Sequence, residues 1–424
     1  MLIVHASQLI TLAGGPQRGS DLGRLGILVD GAVLVLNGII EEVGTSTDLL
    51  ARYPDEERLD AQNKVVLPGF VDPHTHAVWA GDRAAEFEMR LEGRSYMEIM
   101  AAGGGINATV QATRNVLPEE LAAQTRARTS AMFGNGTTTA EVKTGYGLEI
   151  ASEMAQLQTI LDLDREGPIE LAPTFMAAHA IPPEFAGNAG GYVDLVANEM
   201  LPFLKGWMGE HASHLPLPFV DVFCEQGVFD LAQTRRILTA AQELGFPLKL
   251  HVDEFANLGG ATLAAELGAA SADHLVKTSL SDIRALAGSL TAAVALPCTP
   301  FGLGSREYTP AKEIIAAGGL LALATDLNPG TAWCENMQFV IALACRALGL
   351  TPAQAVAAAT INAAAAIRRE DRIGSIEPGK QADLLILSVS DYRHLAYRFG
   401  GSLVQTVIKK GKVYPLNPLS PRGN

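Results

Sequence analysis

The feature that most constrains this chain is an alternation repeated eight times along its middle. Short, apolar, β-rich runs end in polar residues, and a longer Ala/Leu/Glu stretch of helical character follows each. The runs are VVLPGFVDPH (65–74), TTTAEVKTG (137–145), IELAPTFMAAH (169–179), FVDVFCEQ (219–226), PLKLHVDE (247–254), ASADHL (270–275), AAVALPC (292–298) and LLALATD (320–326). Nearly continuous apolar strands suit a parallel sheet covered on both faces. Eight βα units over residues 65–370 predict a closed (β/α)8 TIM-like barrel rather than an open sheet. The flanks read differently. Residues 1–64 contain GILVDGAVLVLNGIIEEVG, and residues 371–424 contain QADLLILS and VQTVIKKGKVYPL. These are hairpin-like pieces around Asn-Gly and Lys-Gly turns. Both ends together are expected to build one small β-sandwich domain beside the barrel.

Composition narrows the function classes. Apolar residues are 48% of the 424 and charged residues 18%, enough for a large core and too apolar for intrinsic disorder. The net charge of −14 and the lack of a dense Lys/Arg run disfavour nucleic acid or an anionic membrane as partner. No apolar run approaches the ~20 residues of a membrane span. The opening stretch MLIVHASQLITLAGG has no Lys or Arg before Arg18, unlike the basic start of a signal peptide. Cys224, Cys298, Cys334 and Cys345 are far apart in sequence and read as reduced thiols of a cytoplasmic protein.

The chemistry concentrates at strand ends. His74-Thr75-His76 directly follows the first run. In extended backbone, residues i and i+2 face the same side, so both imidazoles can reach one ion at ~2.0–2.1 Å. The plainer alternative is two partly buried histidines satisfied by hydrogen bonds. His179, His251, His274 and Asp326 each fall at or just past the end of another run, so five of the nine histidines occupy such positions. Active sites of this barrel type lie at the C-terminal rim of the strands. Imidazoles together with a carboxylate suit a borderline divalent ion.

PGFVDPHTH, a later-strand His, a further His and a late Asp resemble the amidohydrolase superfamily, as does the tail GSIEPGKQADLLIL. Within it, GDRAAEFEMRLEGRSYMEIMAAGGGI, EVKTGYGL, FMAAHAIPPEF, LHVDEF, ADHL and TDLNPGT resemble the imidazolonepropionase family over nearly the whole chain. The resemblance implies His74, His76, His251 and Asp326 as ligands of one zinc or iron ion. Dinuclear relatives carry a bridging Lys at the fourth strand, where this chain has Cys224-Glu225, so one metal is expected. Lys143 reads as a buried ion pair more readily than as a catalytic group.

The resemblance further implies a homodimer that opens 4-imidazolone-5-propanoate to N-formimidoyl-L-glutamate. Asp326 would orient the attacking water, and His274 would polarise the carbonyl or help deprotonate the water. Glu254 would contact substrate and carry a proton to the leaving nitrogen; a bracing carboxylate is its plainer reading. Arg83, Tyr96, Tyr146 and His179 match substrate-contacting positions. The plainer readings are an Arg83 paired with Asp82 or Glu86 and a Tyr96 packed on a helix face. Tyr146, in a Gly-flanked turn, is expected to expose its phenol. Asn328, with the backbone around Gly330 and Thr331, matches a product-contacting loop, although Asn-Pro-Gly is turn chemistry by itself. Arg90, in EFEMRLEG, reads as a solvated helix face. Rival readings are an aminopyrimidine or guanine deaminase of the same superfamily, or a catalytically inert barrel that binds a partner.

Overall fold

Eight parallel strands form the centre of the protein in the computed structural model, which describes residues 1–94, 98 and 104–416. They are Phe70–Asp72, Thr137–Lys143, Glu170–Ala178, Phe219–Cys224, Leu248–Val252, Ser271–His274, Ala292–Ala295 and Leu321–Leu323. Each pairs in parallel with the next, and helices such as Pro118–Gly134, Ile150–Glu166 and Leu231–Glu243 cover the outside. The alternation in the sequence therefore becomes the barrel that it predicts. Closure runs through side chains as well as backbone. Thr75 bridges in parallel to Leu327, Asp326 N donates to His74 O at 3.1 Å, and His76 N donates to Leu327 O at 2.8 Å. Thr325 N donates to Asp72 Oδ1 at 3.1 Å. The seam thus lies where two of the proposed ligand segments meet.

The run 65–74 is not one strand. Val65–Pro68 pairs antiparallel with Leu384–Leu387 and parallel with Gln8–Ile10, and the barrel strand starts only at Phe70. Gly69 is the joint. A Cβ there would stand 2.2 Å from Thr138 Oγ1, so the chain crosses the second strand where no side chain fits.

Two further sheets come from the chain ends and this joint. One has four strands, Ile39–Thr45, Gly31–Leu36, Leu2–Ala6 and Arg58–Asp60. The other has six, Lys412–Pro415, Val404–Lys409, Leu384–Leu387, Val65–Pro68, Gln8–Ile10 and Ile27–Leu28. The turns read from sequence form at Asn37-Gly38 (φ 51° and 80°) and Lys410-Gly411 (φ 49° and 75°). Two consecutive left-handed residues match the twist of the flanking strands. Ile3, Val33, Val35 and Ile40 of the first sheet share one apolar core with Leu9, Val66, Leu384, Ile386 and Ile408 of the second.

Barrel interiors of this type are usually filled by branched apolar side chains. Here Glu141, Lys143, Asp221, Lys249 and Asp273 lie in the strands and are at most 1% exposed. Among the described residues, no helix is long and apolar enough to cross a membrane. All four cysteines are free.

Candidate metal centre

Residues 74–76 run extended between the two ends of the barrel sheet. Thr75 O accepts from Lys143 N at 2.9 Å, and Thr75 Oγ1 donates to Glu141 O at 2.6 Å. That pairing turns Thr75 outward and puts both flanking imidazoles inside. His251 enters from the fifth strand, and Asp326 follows the eighth. His76 Nε2 stands 3.2 Å from His251 Nε2. Asp326 Oδ1 stands 3.3 Å from His74 Nε2 and 3.7 Å from His76 Nε2. Asp326 Oδ2 is occupied by the Thr299 hydroxyl, which leaves Oδ1 for the imidazoles.

These four residues fit a metal ion. Donors bound at ~2.0–2.1 Å around one tetrahedral ion stand roughly 3.3 Å apart, close to the distances seen. His74 Nε2 is buried without a hydrogen-bond partner. The facing Nε2 atoms of His76 and His251 present lone pairs that repel unless a proton or a cation lies between them. Burial, then Lys143 and neighbouring histidines, hold His74 well below the usual imidazole range. Burial and His179 do the same to His76. Neutral imidazole is the ligating form. Burial pushes Asp326 up to about 6, a shift that a bound cation would reverse. His274 adds a donor, since one nitrogen of each of His74, His251 and His274 falls within a 4.8 Å cluster.

Backbone strain helps to aim two of these groups. His274 has φ 78° and Asp326 φ 54°, in the left-handed region that costs most side chains ~1 kcal/mol or more. Strict alternation would send His274 to the opposite side from Asp273. The kink lets Asp273 reach His74 while the His274 ring stays 5.2 Å from that of His251.

Other groups gather around the centre. His274 Nε2 is 3.6 Å from Glu254 Oε2, whose side chain is 10% exposed. Burial, then Asp326 and Glu225, raise Glu254 well above the usual carboxyl range. His179 stacks on His76 with centroids 4.7 Å apart, and its Nδ1 lies 3.0 Å from Gly145 O. Tyr146 stands 5.3 Å from the His179 ring but is only 3% exposed, so the expected exposed phenol is a buried one. Gly145 and Tyr146 are drawn inward because Glu153 and Gln156 accept their backbone N–H groups.

Arg83 is near the site but already paired. Its Nε donates to Glu86 Oε2 at 2.8 Å, and its Nη2 takes the other oxygen. Its Nη1 lies against Gly330, where an added Cβ would be 2.3 Å away. Arg90 differs from its solvated reading. It is half-buried and donates to Gly330 O at 2.8 Å, one helix turn pair beyond Arg83. Asn328 organises its own turn: Oδ1 accepts from Gly330 N at 2.9 Å and Thr331 N at 2.8 Å, and Nδ2 donates to Asp326 O at 2.7 Å. Tyr96 lies outside the described residues.

Sequence reasoning missed Asp221, Asp273, Glu141 and Lys249 beneath the imidazoles, and Thr299 behind Asp326. A signal existed: charges interrupt otherwise apolar strands, as in Glu141-Val142-Lys143 and Lys249-Leu250-His251.

Comparisons with known proteins bear on the fold and the family. The profile of the amidohydrolase family matches residues 234–414. In solved structures, a 5-methylcytosine deaminase from Klebsiella pneumoniae liganded with 5-fluorocytosine superposes with TM-score 0.73 at 18% identity, covering 100% of this chain and 99% of that one. A zinc-bound adenosine deaminase from Xanthomonas campestris gives TM-score 0.69 at 21% identity, over 97% and 92%. At these identities the likeness is one of fold. The imidazolonepropionase of Herpetosiphon aurantiacus is 51% identical over 98% of this chain and 99% of its own length. That of Chloroflexus aggregans is 50% identical over 98% and 99%. With half of all residues shared along essentially the full length, this chain belongs to the imidazolonepropionase family.

Proposed function

We propose that the protein hydrolyses 4-imidazolone-5-propanoate to N-formimidoyl-L-glutamate at the barrel rim, with one zinc or iron ion held by His74, His76, His251 and Asp326. The observation that carries this reading is the gathering of His74, His76, His251 and Asp326 at one barrel rim, with His76 Nε2 3.2 Å from His251 Nε2 and Asp326 Oδ1 3.3 Å from His74 Nε2, in a chain of the imidazolonepropionase family. A divalent ion in that position supplies Lewis acidity that brings water within reach of deprotonation at neutral pH. The chain's own groups do the rest. Asp326 Oδ1 takes the water proton, and Thr299 holds its other oxygen in place. His274 Nε2 donates to the ring carbonyl. Water oxygen bonds to the carbonyl carbon, the ring C–N bond breaks, and Glu254 delivers a proton to the departing nitrogen. Tyr146 and His179 wall the site, Arg83 meets the anionic substrate, and the Asn328–Thr331 turn receives the product. Tyr96 joins the substrate contacts on the family resemblance alone.

The Arg83–Glu86 pair bears on this reading. A carboxylate tail entering the site competes with Glu86 for the guanidinium, so Arg83 acts by exchange or through Nη1, which lies against Gly330. The free cysteines support a cytoplasmic setting, and a homodimer is the working unit by family resemblance. Incubation of the metal-loaded protein with 4-imidazolone-5-propanoate tests the proposal. The ring's ultraviolet absorbance should disappear as formiminoglutamate accumulates without free ammonia. Stoichiometric ammonia would turn the assignment to a deaminase, and no turnover with full metal would leave a binding protein.

A further inference from the structure

Five charged side chains sealed inside the barrel have no step in the reaction above. Glu141 and Lys143 come from the second strand, Asp221 from the fourth, Lys249 from the fifth and Asp273 from the sixth. Lys143 Nζ stands 2.7 Å from both Glu141 Oε1 and Asp221 Oδ2, and 3.8 Å from Asp273 Oδ2. Lys249 Nζ stands 3.1 Å from Glu141 Oε2 and 3.7 Å from Asp273 Oδ2. It also donates to Pro73 O at 2.6 Å, the carbonyl immediately before His74. Burying such a group is costly, and well-packed apolar residues commonly replace buried ion pairs without loss. Such a group beneath a candidate metal centre calls for a task.

The task is visible at the upper edge of the network. Asp273 Oδ2 lies 2.7 Å from His74 Nδ1, and Asp221 Oδ2 lies 3.0 Å from His251 Nδ1, the latter outside good hydrogen-bond alignment. Both contacts fall on the ring nitrogen opposite the one facing the centre. A proton held on Nδ1 leaves the lone pair on Nε2 and fixes the plane of the ring. Carboxylates of this kind orient metal-bound imidazoles widely. The lysines add a second layer: Lys143 touches both aspartates, whereas Lys249 touches Asp273 and the backbone that feeds His74.

We propose that Asp273 and Asp221 are positioning residues that set His74 and His251 as Nε2 ligands, and that Lys143 and Lys249 lock those carboxylates in place. This rests on the metal assignment above. The network predicts a ranking. Losing Lys143 loosens both imidazoles, and losing Lys249 loosens one.

Cobalt uptake by metal-stripped protein, read by chelator competition and by the visible spectrum of the bound ion, tests the proposal without substrate. Asp273→Asn and Lys143→Met should each lower cobalt affinity about 10–100-fold and alter the spectrum, and Lys249→Met should do so less. Lys143→Arg should recover part of both. A single uncompensated charge can unfold the barrel, so the neutral pair Lys143→Met/Asp221→Asn is the decisive variant. It should melt near wild type when metal-free yet still bind cobalt weakly. Wild-type affinity and spectrum in that double variant and in Asp273→Asn would overturn the positioning role while leaving the metal centre intact. A wild-type protein that takes up no cobalt would overturn the metal assignment, and the positioning role with it.

Discussion

The protein contains two ion networks at opposite ends of one barrel, and they differ in what they leave unbalanced. Beneath the rim, three carboxylates face two ammonium groups, all essentially without solvent, and the excess negative charge points at imidazoles. At the other end, Glu170 opens the third strand and meets four cations, Arg369, Arg372, Lys409 and Lys410. Here positive charge is in excess, and Arg372 and Lys410 are 50% and 60% exposed. The lower network joins chain segments far apart in sequence: a barrel strand, the residues after the last barrel helix, and the terminal sheet, where Lys409 also binds Asp383 at 2.7 Å. Dry, anion-rich pairing aims ligands. Cation-rich pairing, buried at Glu170 and Lys409 and open to solvent at Arg372 and Lys410, ties the chain ends to the barrel.

Variants at the two ends should therefore fail in different ways. The largest effect belongs to the rim. Glu254→Gln keeps size but cannot carry the proton, so kcat should fall by ~10²–10⁴ with metal content and melting temperature unchanged. Near-normal turnover would reduce Glu254 to a brace for His274. Next comes Glu170→Gln. Burial pulls the Glu170 carboxyl upward, but Lys409, Arg369, Arg372 and Lys410 outweigh it and hold the group far below the usual range. Because the folded value lies below the unfolded one, the stabilisation is fully present above the ordinary carboxyl range and is lost as pH falls below it. The substitution should cost ~3 kcal/mol at pH 7, with the gap to wild type closing in acid and kcat per folded molecule preserved. Denaturant melts at pH 7 and pH 3 measure it; an equal gap at both would exclude ionic pairing as the cause. The smallest effect is that of Arg83→Met, ~1.5–3 kcal/mol, or about 10–150-fold in kcat/KM. If Arg83 grips the substrate's tail, an analogue without the propionate should be equally poor for wild type and variant. Additive losses would move Arg83 to the ring or to the scaffold.

Legibility in the sequence followed how local each rule is. The i, i+2 spacing of His74 and His76, the Asn37-Gly38 turn and the strand-end positions of His251 and Asp326 are short-range signals, and each holds in the fold. The run 65–74 was legible as extended chain but not as two strands, because the break at Gly69 depends on Thr138 crossing beneath it. Arg90 and Arg83 share the motif that marks the family, yet Glu86 and Gly330 decide what each touches.

Alone, the sequence determined the number of βα units, the rim on which chemistry gathers and the donor types that meet there, since periodicity and strand direction follow from backbone geometry. Tertiary structure alone decided which charges sit beneath those donors. Glu141, Asp221, Lys249 and Asp273 come from four different strands, and Lys143 can choose its partners only once the barrel has closed and excluded the water that would otherwise solvate them.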